Sequence, residues 1–204
     1  VGNFKYYVMA KVFSLLIAIL TTLSLNAQVK QDSIVDKLKF NGVEIDGNID
    51  EFINKMKTKG FVFDKAEENN VVIMLGEFIG QKCRLYIVPT PKSKIVWKIA
   101  IYFGGGTWES LKKEYESVRD LFSKKYGKPS REGIFFKEPY YEGDGCELLA
   151  LVNDKCLCAS IYILKAGAIT IQIENTCEVS VSYENSVNLD KAKQEREESV
   201  MDEI

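Results

Sequence analysis

The sequence predicts an α+β protein: two helix-plus-four-strand halves forming a curved antiparallel sheet, with helices packed on one face. Three observations predict it. Two stretches have apolar residues at helical spacing and recognisable caps. Each is followed by several short strand-like stretches bounded by turn residues. In the last strands apolar and polar residues alternate strictly, which makes one sheet face oily and the other wet.

The elements follow in order. Lys5 and Lys11 flank the start of the apolar run from Val12 through Leu20, and Leu25-Asn26-Ala27 precedes Gln28. This order predicts a signal peptide over residues 1–27, cleaved after Ala27. The apolar run is shorter than the roughly 20 residues a spanning helix needs. The expectation is therefore a periplasmic or secreted protein with no stable membrane span after cleavage. The body is expected over residues 28–185, with halves at about 38–103 and 107–185, and a charged C-terminal helix or tail at 186–204.

In the first half, Asn48 caps a helix with Glu51 three residues on, and Ile49, Phe52, Ile53 and Met56 form its stripe before Gly60 ends it. Strands are expected at 61–63, 71–78, 83–88 and 95–103. In the last of these Ile95, Trp97, Ile99, Ile101 and Phe103 share a face. Gly104-Gly105-Gly106 then breaks the chain and Thr107 caps a second helix. Trp108, Leu111, Tyr115, Val118, Phe122 and Tyr126 keep its spacing until Gly127 and Pro129 stop it. Residues 127–145 read as irregular, and strands are expected at 147–152, 156–164, 169–174 and 179–183. Ile169, Ile171, Ile173, Val179 and Val181 alternate there with Thr170, Gln172, Glu174, Ser180 and Ser182.

The run from Phe40 to Phe52, Lys57-Thr58-Lys59-Gly60-Phe61, the stretch from Trp97 to Phe103 and Lys125-Tyr126-Gly127-Lys128-Pro129 resemble segments of small secreted or periplasmic proteins of Bacteroides-type bacteria. The tandem helix-then-sheet order is similar to the β-lactamase-inhibitor-like fold. The resemblance covers most of residues 38–185 and implies protein binding across a concave sheet. No inhibitor hot-spot motif is recognisable, so the resemblance carries the fold and leaves that target behind.

Composition bounds the chemistry. The net charge of -2 gives no electrostatic reason to expect nucleic acid. The chain has no histidine, so the commonest general base and commonest metal ligand are both missing. No catalytic set, metal site or cofactor is expected. Cys156, Cys158 and Cys177 are candidates for a disulfide across the hairpin that turns at 165–167, as an exported location permits. Asp46-Gly47-Asn48-Ile49-Asp50 begins like a calcium loop but lacks the glycine and final glutamate, and reads better as a helix cap. The triple glycine lacks the lysine and hydroxyl of a phosphate-binding loop.

The wet face of the sheet remains as the candidate binding surface for a protein, peptide or small ligand. Alternation assigns to it Arg84, Tyr86, Lys98, Tyr102, Ser160, Tyr162, Thr170, Gln172 and Glu174, and Tyr and Arg are favoured at interface centres. Tyr140 and Tyr141, in the acidic loop from Glu138 to Asp144, form a second candidate place. Two other classes are weighed against this non-catalytic binding module. One is an envelope hydrolase using Glu138, Glu142 or Asp144. The other is a structural subunit of an envelope assembly, with the C-terminal segment as its contact.

Overall fold

The computed structural model describes residues 37–201, all within one unit, Ser33–Ile204. The predicted signal segment lies outside the described residues. The chain is α+β, its strands antiparallel. A short hairpin, β1 (Lys39–Phe40) and β2 (Val43–Glu44), precedes helix α1 (Ile49–Thr58). Asn48 caps α1 as predicted, its side chain accepting the Asp50 N–H at 2.8 Å. Strands β3 (Val62–Ala66), β4 (Val72–Phe78), β5 (Gln81–Pro89) and β6 (Val96–Phe103) follow. Helix α2 (Trp108–Tyr126) is capped by Thr107, which accepts the Ser110 N–H at 3.3 Å.

The chain continues through β7 (Arg131–Phe136), α3 (Glu147–Val152), β8 (Cys156–Leu164), β9 (Gly167–Ile173), β10 (Val179–Asn185) and α4 (Ser186–Met201). The eight strands β3 to β10 make one sheet in the order β3-β4-β5-β6-β10-β9-β8-β7. Among the described residues no helix is long and apolar enough to cross a membrane.

The core lies between the helices and one face of this sheet. Phe52 and Met56 of α1, and Leu111, Tyr115, Val118 and Phe122 of α2, join Leu85, Ile87, Ile99, Ile101, Ile171, Val181 and Tyr183 in a single buried cluster. Helix stripe and strand alternation thus meet as amphipathic elements must.

Two assignments from the sequence are corrected. Residues 147–152 are helical, because Glu-Leu-Leu-Ala-Leu-Val is built of good helix formers and buries Ala150 and Leu151 while Leu149 and Val152 stay exposed. The edge strand is instead β7, inside the segment read as irregular, where Gly133 hides the pattern. A side chain there would meet the Phe135 ring at 2.5 Å, so the glycine makes room for its own neighbour.

The face assignment in β6 also changes at one end. A register shift at Val88 and Pro89 pairs Lys98 with Val88 but Val96 with Pro89. This bulge leaves Trp97 unmatched. Val96, rather than Trp97, joins the helix-side cluster. Trp97 is buried beneath α4, with the Arg196 guanidinium carbon 5.9 Å from its ring centre.

The C-terminal segment is a helix, seated at the end of the sheet. Asn188 Nδ2 donates to Asp46 Oδ1 at 2.9 Å and to the Val96 carbonyl at 3.0 Å.

Candidate functional site

The face of the sheet opposite α1 and α2 is assembled by register. In the first row Arg84 on β5 lies beside Tyr102 on β6, then Ser180 on β10 and Gln172 on β9. In the second, Tyr86, Ala100, Ser182 and Thr170 follow one another. In the third, Lys98 lies directly opposite Glu184. Of the residues expected on the wet face, Arg84, Tyr86, Lys98, Tyr102, Thr170 and Gln172 therefore share one surface, and Glu174 joins them through its bond from Ser180.

Their contacts are specific. Arg84 Nη2 donates to Glu178 Oε2 at 2.6 Å, and Lys98 Nζ to Glu184 Oε1 at 2.7 Å. The rings of Tyr86 and Tyr102 meet edge to face, their centres 5.1 Å apart. The Ser180 hydroxyl donates to Glu174 Oε1 at 2.6 Å. Burial raises the Glu174 carboxyl above its usual range, outweighing hydrogen bonds from Ser180 and Gln172 and the attraction of Lys98. Burial likewise pushes the Tyr102 phenol upward, helped by the nearby Glu174 carboxylate. Ala100 and Ser180 are themselves buried, being small side chains walled in by larger neighbours.

Tyr162 is corrected. It is 1% exposed and lies on the helix-covered face, between Phe122 and Tyr126. Its hydroxyl donates to the Arg119 carbonyl at 2.9 Å. Ser160 shares that face, its hydroxyl 2.6 Å from that of Tyr115. The sequence reading inverted β8 because it took a hydroxyl as a sign of solvent. Here α2 supplies the polar partners, so the hydroxyls are buried and satisfied. Leu157, Ala159, Ile161 and Ile163 consequently point the other way. With Phe135, opposite Leu157 on β7, they form an apolar strip on the open face that was not anticipated. Its signal was present as Leu157, Ile161 and Ile163 at alternate positions of β8.

Tyr140 and Tyr141 belong to a different place. Their loop is drawn to α2 by the Lys112–Glu142 ion pair at 2.6 Å. Asp144 shapes the turn, accepting the N–H groups of Tyr141 at 3.1 Å and Cys146 at 2.7 Å. A shallow depression of about 350 Å³ lies there, lined by Trp108, Glu109, Lys112, Glu142 and Glu147 among others. Glu142 and Asp144 are thus engaged as loop scaffolding.

Comparison with protein-family models, with curated proteins and with solved structures gives no match. Function therefore rests on the chemistry of the surface itself.

Cys156 and Cys158 both point to the covered face, whereas Cys177 sits in the β9–β10 turn, and all five cysteines are unbonded thiols. Burial pushes the Cys158 thiol up to about 12, and those of Cys156 and Cys83 to about 11. Such thiols stay protonated and poorly nucleophilic near neutral pH. Among the described residues no group of three acidic or cysteine side chains is placed to hold a metal ion.

Proposed function

We propose that the chain is a non-catalytic binding module which recognises a protein or peptide through the open face of its eight-stranded sheet. The observation that carries this reading is the cluster of Arg84, Tyr86, Tyr102 and Lys98, from three successive rows, on a face that α1 and α2 leave uncovered. Aromatic rings with paired charges supply directional contacts at small conformational cost. The neighbouring strip of Phe135, Leu157 and Ile163, 62%, 41% and 61% exposed, adds apolar area. That extent suits a macromolecular partner better than a small ligand, which prefers an enclosed pocket.

We infer further that the body consists of two helix-plus-four-strand halves, in the manner of the β-lactamase-inhibitor-like fold. Support comes from the element order and from β6 and β10, the final strands of the two fours, pairing at the centre of the sheet. With the signal-like residues 1–27, the reading places the module outside the cytoplasm. The envelope-assembly reading keeps one specific support, the free edge strand β7 beside the apolar strip.

The test is a photocrosslinking amino acid at Tyr86, introduced in the producing organism. The expected result is discrete adducts that vanish when Tyr102→Ala is added. The same group at Lys124, on the exposed side of α2, should give none. Equal adducts from both positions, or none from Tyr86, contradict the proposal.

A further inference from the structure

The docking side of helix α4 is mainly polar. Its buried side chains are Asn188, Ala192 and Glu195, whereas Val187, Val200 and Met201 remain largely exposed. With no apolar stripe of its own, the helix docks through Ala192, these polar side chains and its cover over Trp97. Glu195 makes the most specific contact. It is 6% exposed, and its carboxylate enters the loop between β5 and β6. Oε2 accepts the N–H groups of Lys92 at 2.7 Å and Ser93 at 3.1 Å, while Oε1 accepts the Ser93 hydroxyl.

That loop is braced by bonds that do not involve α4. The Thr90 N–H donates to the Ile95 carbonyl at 2.7 Å, and Thr90 Oγ1 accepts the Ile95 N–H at 3.1 Å. Lys94 Nζ donates to the Pro91 carbonyl at 2.7 Å. Two successive N–H groups and a hydroxyl, converging from a self-supported turn, make an anion-binding nest. Beside it, α4 covers Trp97, which is 1% exposed although it lies outside the helix-side core. The charged neighbours of the nest are Lys92, Lys94, Arg196 and Glu198, the last 3.7 Å from Lys92.

We propose that the Thr90–Ser93 turn is a carboxylate-binding site occupied by the chain's own Glu195, so that α4 is a detachable cover. Its release bares the nest and Trp97 together to a carboxylate-bearing peptide. The chemistry recognised is a side-chain or terminal carboxylate accepting two backbone N–H groups and one hydroxyl, next to an aromatic face. This inference is independent of whether the open face binds a partner.

The test compares the full chain with its Glu195→Gln variant by amide hydrogen exchange and acrylamide quenching of tryptophan fluorescence. A Trp97→Phe control separates Trp97 from Trp108. In Glu195→Gln, α4 amides should lose at least about tenfold of their protection while β6 and β10 keep theirs. Trp97 should become quenchable in parallel. A synthetic peptide of residues 186–201 should then bind the variant and protect Trp97. It should bind at least about tenfold more tightly than the same peptide with glutamine at the position of Glu195. If Glu195→Gln fails to fold, Ser93→Ala serves in its place, with a smaller change in the same direction. Unchanged α4 protection, equal loss across α4 and the sheet, or equal affinities of the two peptides overturns the proposal.

Discussion

Tyr162 and Tyr86 are the same side chain on the same sheet, and their surroundings are opposite. Tyr162 is enclosed between α2 and β8, with its hydroxyl committed to the Arg119 backbone. Tyr86 lies across from Ala100 on the open face, against the edge of Tyr102. Burial and hydrogen bonding make the first part of the fold. The second is a group whose energetic value is still unspent. Alternation along a strand separates two sets of residues, and only the elements laid over the sheet decide which set is covered.

Three pairs of substitutions sharpen this contrast, in decreasing order of expected effect. Ile101→Ala, at a fully buried position on the covered face, should cost about 2–5 kcal/mol in denaturant unfolding. Tyr86→Ala on the open face should cost well under half as much, and equal losses would break the comparison. Tyr162→Phe should cost about 1 kcal/mol, through loss of the bond to Arg119, while Tyr86→Phe should be nearly neutral.

The third concerns two carboxylates. The folded state raises the Glu174 carboxyl above its ordinary range, so this group contributes stability at acid pH that is lost as pH rises through its raised value. Burial also opposes ionisation of Glu195, but its bonds from Ser93 and Lys92 prevail and hold it below the ordinary range. Its contribution is present at neutral pH and is lost as pH falls below the usual carboxyl range. Glu174→Gln should therefore gain stability relative to the parent on going from pH 3 to pH 7, and Glu195→Gln should lose it. Urea midpoints across that range check both signs.

Much of the framework was legible in the sequence. Asn48 and Thr107 marked the starts of α1 and α2, and the Ile169–Ile173 and Val179–Val181 alternations placed β9 and β10 the right way round. β8 was inverted because α2 offers Ser160 and Tyr162 partners that strand periodicity does not reveal. β7 was missed because Gly133 looks like a breaker until the Phe135 ring is seen above it. The bulge that turns Trp97 away from the core depends on a register with β5 that no single strand encodes. Of the candidate surface, Arg84, Tyr86, Lys98, Tyr102, Gln172 and Glu174 were assigned correctly to one face. Their partners Glu178 and Glu184, and the apolar strip, required the strand order.

The most direct measurement is thiol labelling at matched positions on the two sides of the sheet. Thr170→Cys and Ser160→Cys would each be treated with a charged maleimide under native conditions, and the modified peptide quantified by mass spectrometry. Prompt labelling is expected at residue 170, and labelling at residue 160 only on unfolding. Equal rates at both positions, or faster reaction at residue 160, would contradict a sheet with one face sealed by helices and the other free to bind.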